Sequence, residues 1–272
     1  MSVLEAFILG LVQGLTEFLP VSSSGHLVLV PELFNLSTPT VGFDIVVHVA
    51  TLLAVVTYFM PDVRRIVVAL VAPSRMSAPE ARYWRRLFLW LVIGSVPAAI
   101  AGFGFSRFFE GLFESTIAVG VFLLLTSGLL VGSDIALARV KREPVSLGKM
   151  KASDALIIGC FQALAIAPGL SRSGSTLAAG VFLGFDRPTA ARFSFLLSIP
   201  AILGAFVASL AGVGGGFGGA SAWAYVVGAA TAAVSGFLAI FLLMRYIRHH
   251  RLRLFAVYTA LLGIFVLVVS AL

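Results

Sequence analysis

Runs of about 20 apolar residues recur along the whole chain, each long enough to cross the ~30 Å hydrocarbon layer of a membrane as a helix. They read as Phe43–Met60, Leu87–Phe105, Ile117–Ala138, Phe193–Val213, Trp223–Met244 and Leu254–Leu272. Composition agrees: 60% of the 272 residues are hydrophobic and 11% charged, against about a quarter charged in a soluble domain. The runs lack the alternation that a membrane β-barrel requires. The expected fold is an all-α, polytopic integral membrane protein, a single membrane domain over 1–272.

The net charge of +7 does not mark a nucleic-acid binder. The basic residues collect in three loops between apolar runs: Arg64–Arg86, Arg139–Lys151 (with Lys141 and Arg142) and Arg245–Arg253. The positive-inside rule assigns all three to the cytoplasm. Cys160 is the only cysteine, so no intrachain disulfide forms. No lysine or arginine precedes Arg64, so the N-terminus lacks the basic region of a signal peptide and is expected to stay in the mature protein.

Two further apolar stretches are interrupted. Val3–Val30 breaks near Pro20, and Ala155–Phe185 breaks near Pro168-Gly169. Each half is short for a full crossing. Were Ala155–Phe185 to cross once, the last basic loop would fall outside. A hairpin that enters and returns keeps all three loops on one side. The same counting puts Pro31–Gly42 outside, with Val3–Val30 a hairpin entering from there. Polar backbone at membrane depth is tolerated only where protein buries it or a wet cavity meets it.

The interrupted stretches also resemble each other. Laying Gly10–Gly25 over Gly159–Gly174 without gaps pairs Gly10 with Gly159, Gln13 with Gln162 and Leu15 with Leu164. It also pairs Ser22 with Ser171, Ser24 with Ser173 and Gly25 with Gly174. This reads as an inverted-topology repeat with halves of approximately 1–138 and 152–272, its two re-entrant, broken-helix hairpins meeting at the functional site.

The first break offers Gln13, Glu17, Ser22, Ser23, Ser24 and His26. Gln13 and Glu17, four apart, share a helical face. The second offers Ser171, Arg172, Ser173, Ser175 and Thr176 after Gly169. A glycine turn leading into a helix N-terminus suits an anion, and Arg172 adds a planar fork matched to phosphate. An ionisable residue deep in an apolar run is functional by default. Gln162 reads as structural, His48 lies mid-span in Phe43–Met60 and either packs in the core or faces the site, His249 and His250 read as solvated, and Asp154 and Asp186 as helix caps. The set has no zinc-type cluster and suits phosphate chemistry at a membrane.

"QGLTEFLPVSSSGH" (Gln13–His26) and "PGLSRSGST" (Pro168–Thr176) resemble the two signature motifs of the undecaprenyl-pyrophosphate phosphatase family, the bacitracin-resistance type. The resemblance covers essentially the whole chain. It implies an enzyme of the bacterial cytoplasmic membrane, its active site facing outward. That enzyme hydrolyses a C55 isoprenyl pyrophosphate to the monophosphate and recycles the lipid carrier of peptidoglycan synthesis. It further implies a divalent cation, Mg²⁺ or Ca²⁺, and a homodimer. By position, Gln13 and Glu17 fall to the metal and diphosphate site, and Arg172 to the phosphate clamp. Ser23 and His26 are the nucleophile or acid–base groups, with the choice between them or a water left open. Ser22, Ser24, Gly169, Ser171, Ser173 and Thr176 complete the substrate site. Gln13 departs from the second glutamate of many members. Type-2 phosphatidate phosphatases need a histidine where this chain has Ala178, so that match fails. The remaining alternative is a lipid or anion transporter on the same repeat.

Overall fold

The computed structural model describes residues 1–139, 144–212 and 220–271. Lys141 and Arg142, most of the glycine-rich stretch after α10, and the expected span ends at Val213 and Leu272 lie outside them. The described residues contain helices and no strands. Six helices are long and apolar enough to cross a membrane: α3 (Val41–Tyr58), α5 (Ala78–Gly104), α7 (Thr116–Arg139), Arg187–Ser209 within α10 (Arg187–Gly212), α11 (Ala222–Tyr246) and α12 (Arg253–Ser270). They coincide with the six apolar runs.

Helix and apolar run do not end together. α5 starts at Ala78, before the apolar run begins at Leu87, because Ser77 caps it by accepting from the Glu80 N–H. Arg82, Arg85 and Arg86 are therefore helical. Much of the expected Arg64–Arg86 loop is likewise α4 (Met60–Val71), which starts with Pro61 in its first turn and buries Ile66 and Ala69. Hydropathy marks the apolar layer, whereas caps and prolines mark the helix ends.

Both interrupted stretches are broken helices. α1 (Val3–Phe18) stops as Leu19 turns extended, the conformation favoured before Pro20. α2 (Ser23–Phe34) begins after Ser22, whose side chain accepts from the Gly25 N–H. α8 (Ala152–Leu164) ends before Pro168, and α9 (Arg172–Phe182) begins after Ser171, whose side chain accepts from the Gly174 N–H. The caps Ser22 and Ser171 are the aligned serines of the sequence repeat. Gly169 turns the second break at φ +89°, where a Cβ would stand 2.3 Å from the Val119 carbonyl oxygen. No other residue type fits there.

Each stretch starts and finishes at the same end of the molecule. Glu5, at the start of α1, accepts from the N–H of Ser37, just past α2, at 2.9 Å. The Val145 N–H, just before α8, donates to the Gly184 carbonyl, just past α9, at 3.0 Å. Packing follows a matching exchange. α1 lies on α11 and α8 lies on α5. A Cβ at Gly10 would come 2.4 Å from the Gly228 carbonyl oxygen, and one at Gly159 would come 2.4 Å from that of Gly94. The first helix of each broken pair thus packs backbone to backbone on a membrane-length helix distant in the chain. α3 packs on α10 and α7 on α12.

Partly buried ion pairs tie the ends opposite the Ser37 loop. Asp134 accepts from Arg187 at 2.6 and 3.1 Å and from the Leu252 N–H at 2.9 Å, joining α7, α10 and the start of α12. Arg192 pairs with Asp62 beside Trp84. Asp154 and Asp186 cap by accepting from the Lys151 and Thr189 N–H groups.

Candidate active site

The ends of α1 and α8 and the starts of α2 and α9 meet at a cavity of about 440 Å³ that α3 and α10 also line. Glu17, Ser22, Ser23, Ser24, Ser171 and Arg172 line it. The two breaks, distant in the chain, are joined directly. Arg172 forms an ion pair with Glu17 Oε1, and the Ser173 hydroxyl donates to the Leu19 carbonyl at 3.0 Å.

Glu17 is the hub. Its Oε2 accepts from the Ser23 hydroxyl at 2.6 Å and from Gln13 Nε2 at 3.0 Å. Gln13 is fully buried beneath it and does not line the cavity. A carboxylate so deep needs such partners, since unpaired it would cost several kcal/mol. Arg172 lines the cavity with its remaining N–H groups. The first-turn N–H groups of α2 and α9 have no intrahelical carbonyl to meet, and both helices present their positive ends at the same place. Pairs of hydroxyls flank them: Ser22 and Ser24 at 3.3 Å, Ser171 and Ser173 at 3.1 Å. The arrangement is built to hold an anion against a hydroxyl that already donates to a carboxylate.

Not every expected residue faces this cavity. His26 points away from it. Its Nδ1 donates to the Ser22 carbonyl at 2.7 Å, its Nε2 meets the Tyr258 hydroxyl of α12 at 2.6 Å, and the two rings stack 5.7 Å apart. Thr176 is fully buried and turned toward α10, with Ser194 Oγ at 2.5 Å and the Arg172 carbonyl at 2.8 Å. Gly169 contributes the turn, and Ser173 the bridge between breaks. Gln162 is buried with no hydrogen-bond partner for either amide atom, beside a second, apolar groove described below.

Three contributors lie outside the two motifs, and of these the sequence raised only His48. Asp44 and His48 of α3 both line the cavity, and His48 Nε2 stands 3.9 Å from Glu17 Oε2. They are ionisable residues four apart in an apolar run, the same signal that marks Glu17. Thr126 of α7 accepts from the Ser171 N–H at 3.0 Å and donates to the Gly169 carbonyl at 3.1 Å, fixing the second break. A threonine in a span carries no comparable signal. Among the described residues no three His, Cys, Asp or Glu side chains converge into a closed metal cage.

A family model described as bacitracin resistance protein BacA matches residues 6–265. The undecaprenyl-diphosphatase of Syntrophotalea carbinolica is 44% identical over 268 residues, 97% of either chain. That of Desulforudis audaxviator is 41% identical over 272 residues, covering 100% of this chain and 99% of its own. That of Moorella thermoacetica is 41% identical over 269 residues, 99% and 98% of the two chains. A match running from α1 to α12, through both breaks and the cavity between them, makes this chain a member of the bacitracin resistance protein BacA family.

Proposed function

We propose that the chain is a membrane phosphatase that hydrolyses undecaprenyl pyrophosphate to the monophosphate and inorganic phosphate, with the cavity between the helix breaks as its active site. The observation that carries this is the single cluster of Glu17, Ser23 and Arg172, assembled from two breaks. The names of the relatives give the substrate class, and the cavity has the chemistry for it.

In this reading Arg172 and the α2 and α9 N-termini take the oxygens of the terminal phosphate and disperse its charge in the transition state. Ser23 Oγ attacks that phosphorus, the bond to the bridging oxygen breaks, and the lipid monophosphate leaves with the electron pair. The hydroxyl proton passes to Glu17 Oε2, its present acceptor. Water then cleaves the phosphoserine, and Glu17 returns the proton. His26 acts from behind, holding the Ser22 carbonyl and so the turn that carries Ser23.

The lipid tail has a place to lie. An apolar groove of about 490 Å³ runs between α5, α8 and α10, lined by Ala98, Ala99, Gly102, Ala201, Gly204 and Ala205, and Arg172 borders both it and the cavity. A divalent cation fits the donors present. The cavity has carboxylates, an imidazole and hydroxyls, and Asp44 Oδ1 is buried without a partner. Mg²⁺ is ordinarily held by one or two carboxylates with substrate phosphates and waters. When bound it would neutralise the diphosphate oxygens. The matching serine caps of the two breaks and the exchanged glycine contacts support the inverted repeat. With the basic loops cytoplasmic, the cavity opens outward.

Purified protein in detergent, given the lipid diphosphate and a divalent cation, is expected to release phosphate, and Ser23→Ala to release none above background. Rapid-quench peptide mapping should find phosphate on Ser23. Absence of phosphate release with every divalent cation would favour transport instead.

A further inference from the structure

The cavity contains two ionisable side chains that the motifs do not account for, Asp44 and His48, one turn apart on α3. Their state differs from that of the motif residues. Glu17 is fully engaged: Oε1 holds Arg172, and Oε2 accepts from Ser23 and Gln13. Gln13 directs its amide nitrogen at Glu17, not an oxygen into the cavity. Gln13 Oε1 is also buried without a partner, but Gln13 lies beneath Glu17 and does not line the cavity, and Glu17 already accepts three hydrogen bonds. On α3 the reverse holds. Asp44 Oδ1 is buried and has no hydrogen-bond partner. His48 Nδ1 lies 2.7 Å from the Asp44 backbone carbonyl. A carbonyl only accepts, so Nδ1 carries the hydrogen, and the lone pair of the neutral ring is on Nε2. Nε2 stands 3.9 Å from Glu17 Oε2, too far for a hydrogen bond.

That is the usual state of a metal-ligating histidine, oriented by a backbone carbonyl through the other ring nitrogen. The plainer explanation for Asp44 is the helix dipole, because it stands in the first turn of α3. Thr40 already caps that turn by accepting from the Phe43 N–H at 3.2 Å. The dipole leaves Oδ1 unbonded in any case, and an intramembrane carboxylate without a partner is costly.

We infer that His48 and Asp44 of α3 are the protein's ligands for the divalent cation, with diphosphate oxygens and water completing its shell, and that Glu17 is left to Ser23. The inference rests on the phosphatase reading. It also answers the departure at Gln13: the second carboxylate of the site comes from α3 and not from the first motif. An imidazole ligand favours a transition cation over Ca²⁺, and Mn²⁺, which also accepts carboxylate and water, serves as the spectroscopic probe of the site.

The test uses the full chain in detergent with Mn²⁺ and a methylene-bridged prenyl diphosphonate, which cannot be hydrolysed. Electron spin echo modulation of the bound Mn²⁺ reports a directly coordinated imidazole nitrogen. The wild type is expected to show ¹⁴N modulation. Uniform ¹⁵N-histidine labelling should remove it without any substitution, and His26→Phe should keep it. His48→Gln should bind Mn²⁺ about tenfold or more weakly and without nitrogen coupling, and Asp44→Asn should weaken binding on the same scale. Nitrogen modulation that persists in His48→Gln overturns the assignment. So does bound Mn²⁺ with no nitrogen coupling in the wild type, the outcome if His48 is an imidazolium paired with Glu17. Phosphate release by the same wild-type sample separates the two levels. Release without nitrogen coupling removes only the α3 site, whereas no release with any divalent cation removes the phosphatase reading as well.

Discussion

At the residue scale the site depends on Glu17 serving two partners with different jobs. Oε1 holds the Arg172 guanidinium and Oε2 accepts the Ser23 proton. Replacing Arg172 by Lys keeps the charge but loses the planar fork, so kcat/KM should fall by about 10²-fold, the scale for a lost transition-state donor. A phosphate-release assay with unchanged turnover in Arg172→Lys would remove the clamp role. His26 gives a contrasting expectation. Its Nε2 meets Tyr258 outside the cavity, so Tyr258→Phe removes one hydrogen bond of about 1 kcal/mol and should lower the rate less than about tenfold. A loss as large as that of Ser23→Ala would mean His26 reaches the substrate. Glu17, Ser23 and Arg172 were legible in the sequence because charge and hydroxyls stand out against hydrocarbon. The direction of His26 was not, because it depends on a tyrosine far along the chain.

At the element scale the breaks are set by local chemistry. Leu19 before Pro20, Gly169 at positive φ, and the caps Ser22 and Ser171 end one helix and start the next, and Thr126 of α7 then holds the second break. The sequence therefore located both breaks to within a residue or two. It did not reveal α4, because a short amphipathic helix among arginines has the composition of a loop. Nor did it reveal the orientation of α3, since near-uniform apolar spans carry little record of which face meets which neighbour. Asp44 went unassigned and the direction of His48 stayed open for that reason. Helix contact supplies the element-scale prediction. A methyl group at Gly159 would come 2.4 Å from the Gly94 carbonyl oxygen, so Gly159→Ala must push α8 from α5. We expect a loss of about 1–3 kcal/mol, measured as unfolding in detergent, and a similar loss for Gly10→Ala. An unchanged unfolding midpoint in both would contradict the close backbone packing.

At the scale of the whole molecule, the contacts of α1 with α11 and of α8 with α5 gather the two broken helix pairs around one cavity. Charge counting on the three basic loops favours a hairpin at Ala155–Phe185 and one at Val3–Val30. The cavity itself, and the groove beside it, come from packing between helices distant in the chain and had no sequence signature. The topology makes a direct prediction. In a Cys160→Ser background, Ser2→Cys and Ser37→Cys should both react with an impermeant maleimide from outside intact cells, and Ser146→Cys only after lysis. Labelling of Ser2→Cys and Ser37→Cys from opposite sides would mean that Val3–Val30 crosses once.

Glu17 and Arg172 come from different helix breaks, so their coupling tests the shared site most directly. Phosphate release from undecaprenyl pyrophosphate would be measured for Glu17→Ala, Arg172→Ala and the double variant. Residues acting as one unit are non-additive. Each single substitution should therefore lower kcat/KM by about 10²-fold or more, and the double should be little worse than either. Full additivity, or a single variant that turns over like the wild type, would contradict a common site built from the two helix breaks.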